Sequence, residues 1–236
     1  MSFEALPERL AQVRAEVARV AAQPVAIVAV TKGFGTDAIR AALAAGIADI
    51  GENRVQEAVQ KQEELGAGSQ ELGVRWHLIG HLQRNKAKVV PGRFELVHSV
   101  DSIELATELD RRAQASLRVL LQVNVAREPQ KSGCTPEEAR TLARHIAALG
   151  NLRLEGLMTL APFTDDVDVQ RRTFRGLRVL RDTINEEEGV WLPTLSMGMS
   201  GDYATAAREG ATVIRLGTAL FGPRLGGMGG MGGETP

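Results

Sequence analysis
The stretch 25–51, VAIVAVTKGFGTDAIRAALAAGIADIG, decides the fold. Val25–Thr31 is β-branched and apolar on both of its alternating sides, which is how a strand buried on both faces of a parallel sheet reads. Thr36–Ala45 follows as an amphipathic helix, and Gly46 stands where a helix C-cap is expected. Ile47–Gly51 then opens a second strand. Strand, helix and strand in one short run make a βα unit repeating into the next.

The alternation continues outward from this unit. Val74–Gly80, Phe94–Val100, Leu117–Val125, Leu152–Met158, Val190–Ser196 and Thr212–Gly217 read as further buried strands. Arg54–Glu64, Ser102–Ala113, Pro136–Leu149, Val167–Asn185 and Asp202–Glu209 read as helices between them. Asp101 and Ser102 supply a helix start; Thr135-Pro136-Glu137-Glu138 adds an N-cap, a first-turn proline and acids that suit the helix dipole. Gly150 and Gly210 fall at helix ends. An eight-fold βα alternation in one α/β domain predicts a single (β/α)8 TIM barrel, preceded by an extra N-terminal helix in MSFEALPERLAQVRAEVARV. A doubly wound parallel sheet is the structural alternative, because strand order is not written in one sequence. The barrel is expected over 1–225, and the Gly/Met-rich stretch 226–236, GGMGGMGGETP, is read as a disordered tail.

Composition excludes several classes. The chain has 236 residues, 28 Lys+Arg against 29 Asp+Glu, 44% apolar and 24% charged residues, ordinary values for a folded domain. A net charge of −1 offers no basic excess for binding nucleic acid through bulk electrostatics. One cysteine, Cys134, permits no internal disulfide. No apolar run is long enough to span a bilayer, and the N-terminus lacks the apolar core of a signal peptide. The expected location is the cytoplasm.

Barrel chemistry sits at the carboxyl ends of the strands. Lys32 follows the apolar run AIVAV, so its amine projects into the barrel mouth, where partial burial favours the neutral form needed for imine formation. SMGMSGD after the seventh strand and LGT after the eighth form a pair of small-residue turns. Loops in those positions commonly hold phosphate through backbone N–H groups, with the Ser200 and Thr218 hydroxyls beside them. Arg215 is inward by alternation with Gly217 and needs an acceptor, for which a ring nitrogen serves. Together these residues suit an aldehyde that carries a phosphate: pyridoxal phosphate and phosphorylated sugars both qualify. His77 and His81 lie in a strand and a turn, so helical metal-ligand spacing does not apply. Cys134 has no histidine beside it. The basic segment HLQRNKAK is read as a solvated helix face and Tyr203 as a helix residue.

Seven motifs in order carry a family resemblance: AVTK at 29–32, IGENRVQE at 50–57, WHLIGHLQRNK at 76–86, KSG at 131–133, GLMTLAP at 156–162, LSMGMSGD at 195–202 and IRLGTALFG at 214–222. Over about residues 5–224 the chain resembles the YggS/PROSC family, the pyridoxal phosphate homeostasis proteins. The resemblance implies a fold-type-III barrel similar to the N-terminal domain of alanine racemase, with pyridoxal 5'-phosphate (PLP) as cofactor. By motif position, Lys32 forms the internal aldimine with its aldehyde. Ser200, Gly217 and Thr218 hold its phosphate, and Arg215 faces the pyridine nitrogen. Asn53 and His77 line the pocket, and Ser196 and Met197 touch the phosphate cup. Two departures stand at the rim: Gly33-Phe34 follows the lysine where many relatives have Thr-Lys-Pro, and Arg54 stands where many have tyrosine.

An arginine opposite the ring nitrogen leaves that nitrogen unprotonated and a weaker electron sink. The second domain and second base of alanine racemase have no counterpart in this sequence. The expectation is therefore a PLP-binding protein of vitamin B6 homeostasis rather than an enzyme, a monomer that serves PLP-dependent apoenzymes. A low-efficiency PLP-dependent amino-acid racemase is the alternative, and a Schiff-base aldolase acting on a sugar phosphate is a weaker third reading.

Overall fold
The computed structural model describes residues 3–66 and 72–223; the stretch 226–236, expected to be disordered, lies outside them. Eight parallel strands close into a barrel in sequence order. They are β1 Ala26–Val30, β2 Asp49–Glu52, β3 Arg75–Leu78, β4 Leu96–Val100, β5 Leu117–Gln122, β6 Leu152–Met158, β7 Thr194–Ser196 and β8 Val213–Leu216. Closure is made by β1 on β8, with Ala26 opposite Val213 and Ala29 opposite Leu216. The doubly wound alternative is thereby excluded.

Helices follow the strands in turn. The N-terminal α1 spans Leu6–Val20, then come α2 Thr36–Ala44, α3 Val55–Leu65, α4 Ile103–Arg112, α5 Pro136–Ala147, α6 Val167–Glu188, α7 Tyr203–Arg208 and the single turn α8 Thr218–Phe221. After β3 the basic segment forms a 3-10 helix, Arg84–Val89, in place of an α-helix. Thr135 and Glu138 make a reciprocal capping box at the start of α5, and the Ser102 hydroxyl accepts the Leu105 N–H at the start of α4. Gly46 and Gly210 take left-handed backbone angles, with φ of 80° and 97°. Gly150 does not, because α5 ends earlier, where the Ala148 N–H reaches the carbonyls of Arg144, His145 and Ile146.

Strand alternation sorts the core into two environments. Ala29, Ile50, Leu78, Val97, Leu121, Leu157, Leu195 and Ile214 face outward and join Ile39, Ala58, Leu109, Ile146 and Phe174 of the helices in the main apolar core. Leu96, Leu120 and Met158 form a separate small cluster in the barrel lumen. Much of the rest of the lumen is polar: Asp49, His77, His98, Ser196 and Arg215 sit on the inward parity of their strands, with Val28 of β1 beside Arg215. α1 buries Leu6, Leu10, Val13 and Val17 along one face that packs on α7 and α8. Phe3 is pinned between Phe34 and Phe221, at ring-centroid distances of 5.9 and 5.4 Å.

Candidate functional site
A cavity of about 790 Å³ opens at the carboxyl ends of the strands, lined by Lys32, Asn53, Ser200, Arg215, Gly217 and Thr218 among others. Six residues expected at the site therefore converge on one space, although they come from loops after β1, β2, β7 and β8 and from β8 itself. His77 and Met197 do not line it. Met197 is fully buried in the main apolar core. His77 belongs to β3 below the cavity, where its ring bridges Asp49 and His98.

Lys32 is half-buried, and among the described residues no hydrogen bond or ion pair engages its ammonium. Its two neighbours, in contrast, are tightly held. Thr31 Oγ1 donates to Glu52 Oε1 at 2.5 Å. Lys61 Nζ, from α3, donates to the Thr31 carbonyl at 2.7 Å, to Glu52 Oε1 at 2.6 Å and to Glu57 at 2.9 Å. The Gly33 N–H donates to the same Glu57 oxygen at 2.6 Å. Residues 31 and 33 are thus tied to one buried acid–base cluster behind β1, while the side chain of Lys32 is left to the cavity. Burial raises the Glu52 pKa, with the Lys61 charge opposing it, and its Oε2 has no partner. Burial also works against ionised Glu57, but bonds from Lys61 and the Gly33 N–H outweigh it and hold the carboxyl below its ordinary value. The motif IGENRVQE contains both acids, and Lys61 lies one helical turn beyond Glu57; nothing local in the sequence marks the three as partners, because they meet behind the strand.

Across the cavity, the Ser200 hydroxyl accepts the N–H groups of Gly217 and Ala219, at 3.3 and 3.1 Å. The turns after β7 and β8 therefore close on each other at the Ser200 hydroxyl. Gly198 makes the first turn possible: its φ is 96°, and a Cβ there would fall 2.6 Å from that of Ala206. Asp202 lines the same space. Its Oδ1 accepts the Met199 N–H at 2.5 Å, and burial pushes its pKa up against the charges of Arg215 and Lys131. Lys131, in the motif KSG, also lines the cavity; it donates to the Ala161 carbonyl at 2.7 Å and pairs with Glu128.

Arg215 is 3% exposed. Its Nη1 donates to Ser196 Oγ at 2.6 Å and its Nη2 to the Thr159 carbonyl at 3.0 Å. Among the described residues no carboxylate pairs with it, so the strand carboxylate that a barrel arginine ordinarily finds is missing. Burial pulls its pKa down to about 10, with Asp202 opposing, which leaves it cationic at neutral pH. A guanidinium carries five donors; two bonds to protein oxygens leave others for a bound acceptor. Tyr203 is not at this site. Its hydroxyl donates to Glu16 of α1, and burial together with that carboxylate raises its pKa to about 12.

Among the described residues no cluster of His, Cys, Asp and Glu has the arrangement of a metal site. No helix among them is long and apolar enough to cross a membrane.

Known proteins share the sequence and the fold of this chain. The family model for the alanine racemase N-terminal domain matches residues 4–224. A pyridoxal phosphate homeostasis protein from Pseudomonas aeruginosa is 43% identical over 93% of this chain and 96% of its own length. The solved structure of PipY from Synechococcus elongatus with PLP bound is 39% identical, with a TM-score of 0.81, covering 92% of this chain and all of that one. Alanine racemase from Corynebacterium glutamicum shares the fold at 15% identity, with a TM-score of 0.73; the match covers 98% of this chain and 64% of that one.

Proposed function
The chain belongs to the pyridoxal phosphate homeostasis protein family, built on the alanine racemase N-terminal barrel, and from that premise we propose that it binds pyridoxal 5'-phosphate in the cavity at the barrel mouth. The observation that carries the reading is the donor set around one space. Among the described residues, a lysine amine free of ion pairs, a buried arginine without a carboxylate and the joined small-residue turns that bring Ser200, Gly217 and Thr218 to the cavity match an aldehyde, a ring nitrogen and a phosphate. The cofactor supplies an aldehyde carbon that a neutral amine attacks with loss of water.

Each residue has a stated part. Lys32 provides the amine, held by the fixing of Thr31 and Gly33. Ser200, Gly217 and Thr218 hold the phosphate. Arg215 would donate to the ring nitrogen of bound PLP; because arginine only donates, that nitrogen would be unprotonated and the ring a weaker electron sink. Asn53 lines the wall between them. Tyr203, engaged by Glu16, supplies no second base. This constellation favours binding and release over turnover at a substrate carbon. The protein serves intracellular PLP homeostasis as a monomer in the cytoplasm, with PLP-dependent apoenzymes as its recipients.

The test is the absorption spectrum of purified protein with added PLP, before and after borohydride, beside Lys32→Ala. The wild type is expected to gain a visible band that borohydride bleaches, leaving the adduct on the peptide that contains Lys32. Lys32→Ala is expected to fold and to lack both. A wild-type protein that takes up no PLP would overturn the reading. Racemase and transaminase assays on the loaded protein separate carrier from enzyme, and robust turnover would overturn the carrier role.

A further inference from the structure
The first histidine of the WHLIGH motif, His77, has no place at the cavity, yet it is buried and fully bonded. His77 Nε2 lies 2.9 Å from Asp49 Oδ1, and its Nδ1 lies 2.9 Å from His98 Nε2. His98 Nδ1 lies 2.8 Å from Ser196 Oγ, which accepts Arg215 Nη1. The series runs through the lumen from the amino-terminal edge of the barrel to the cavity floor. Asp49 is the first residue of β2, and Arg75, the first residue of β3, holds it with two N–H bonds of 2.7 and 2.6 Å.

The two ends fix the direction of every bond between them. Ionised Asp49 only accepts, so His77 carries a proton on Nε2. At the other end Arg215 can only donate to Ser196 Oγ, so the serine hydrogen goes to His98 Nδ1. His98 is wholly buried and neutral, so it carries its single proton on Nε2, which His77 Nδ1 accepts. All four bonds are satisfied in this direction. Reversing the histidines would aim His98 Nδ1–H and Arg215 at the same serine oxygen and leave the serine hydrogen without its partner.

We propose that Asp49 is a positioning residue for Arg215, acting across the length of the barrel through His77, His98 and Ser196. The ion pair with Arg75 anchors one end, and the guanidinium is held at the other in the orientation that leaves its remaining donors to the cavity. The effect on PLP rests on the binding reading above; the geometry of the chain itself does not.

The test begins on full-length protein before PLP is added, with side-chain nitrogen NMR of the histidines and of Arg215. Wild type is expected to show His77 and His98 both protonated on Nε2. Asp49→Ala is expected to shift the His98 proton toward Nδ1 and to speed rotation of the Arg215 guanidinium. The PLP dissociation constant should then rise about tenfold, the size of one lost charge-assisted hydrogen bond, while borohydride still traps the adduct on Lys32. Asp49→Asn keeps an acceptor oxygen and should restore most of the affinity, which a general loss of stability would not do. Should Asp49→Ala fail to fold, Ser196→Ala cuts the chain beside Arg215, leaves the Asp49–Arg75 pair intact and carries the same comparison. His98 protonated on Nδ1 in wild type, or an Arg215 signal unchanged in the folded variants, would overturn the proposal. Absence of PLP uptake by wild type would instead sink the binding reading, and the nitrogen signals would still decide the chain.

Discussion
Lys61 is the residue on which the geometry of Lys32 depends. It is 5% exposed and joins Glu52, Glu57 and the Thr31 carbonyl. Lys61→Met removes the cation from a buried acid pair, and breaking such a pair costs about 3–5 kcal/mol. Urea unfolding should show that loss, and Glu52→Gln added to Lys61→Met should recover a substantial part, because the uncompensated charge is then gone. A double variant no more stable than the single one would mean that packing of the lysine stem, not its charge, sets the cost. Gly80 gives a second test at this scale. A Cβ there would lie 2.3 Å from the Asn53 carbonyl oxygen, and a backbone atom has little room to yield. Gly80→Ala should therefore displace Asn53 and weaken PLP binding in a folded protein. Lys32 was legible in the sequence because a charged residue ending an apolar strand announces its position. His98 was not. It stands in LVHSV with nothing to mark a polar lumen, and its partners come from strands 21 and 98 positions away in the chain.

Helix starts are legible in the sequence because a cap is a local device. The box made by Thr135 and Glu138 is such a case, and Thr135→Ala should destabilise the protein by about 1 kcal/mol in thermal or urea unfolding. An unchanged midpoint would mean that tertiary packing alone fixes the start of α5. Helix ends are less legible, for a reason visible in α6. The sequence suggests an end at Asn185, yet the helix runs to Glu188 and stops at Gly189, whose φ is 64°. Glu188 is captured by two arginines of α5, with Arg144 Nε at 2.7 Å and Arg140 Nη2 at 2.8 Å. That extra turn is stabilised by a neighbour met only in three dimensions. The connection after β3 is a helix with a solvated face, as its charges suggest, but a short 3-10 one, Arg84–Val89, which buries only Ala87.

At the scale of the molecule, the eight strands were legible from their apolar runs, but closure of β1 on β8 is a long-range pairing that one sequence does not spell out. Carboxylates shifted in opposite directions share one pH response. Glu188 is held at about 2 by Arg144 and Arg140, and Glu108 at about 2 by Arg111 and Arg112. Asp49 is also held low: burial works against it, but His77 and Arg75 outweigh the burial. A carboxylate depressed by folding contributes stability above its unfolded value, and that contribution disappears as pH falls toward the folded value. These three groups thus remove stability from roughly pH 4 downward. Glu52, Asp101 and Asp202 are shifted the other way, each first by burial. Their protonation as pH falls toward the ordinary carboxylate range favours the folded state. The thermal midpoint should therefore hold or rise on mild acidification and then fall steeply below about pH 4. Glu188→Gln separates the terms. Its midpoint should lie below wild type at neutral pH and converge with it as pH approaches 2, where the wild-type carboxylate is itself protonated. A deficit that persists unchanged into acid would assign the effect of Glu188 to packing between α5 and α6 and not to its charge.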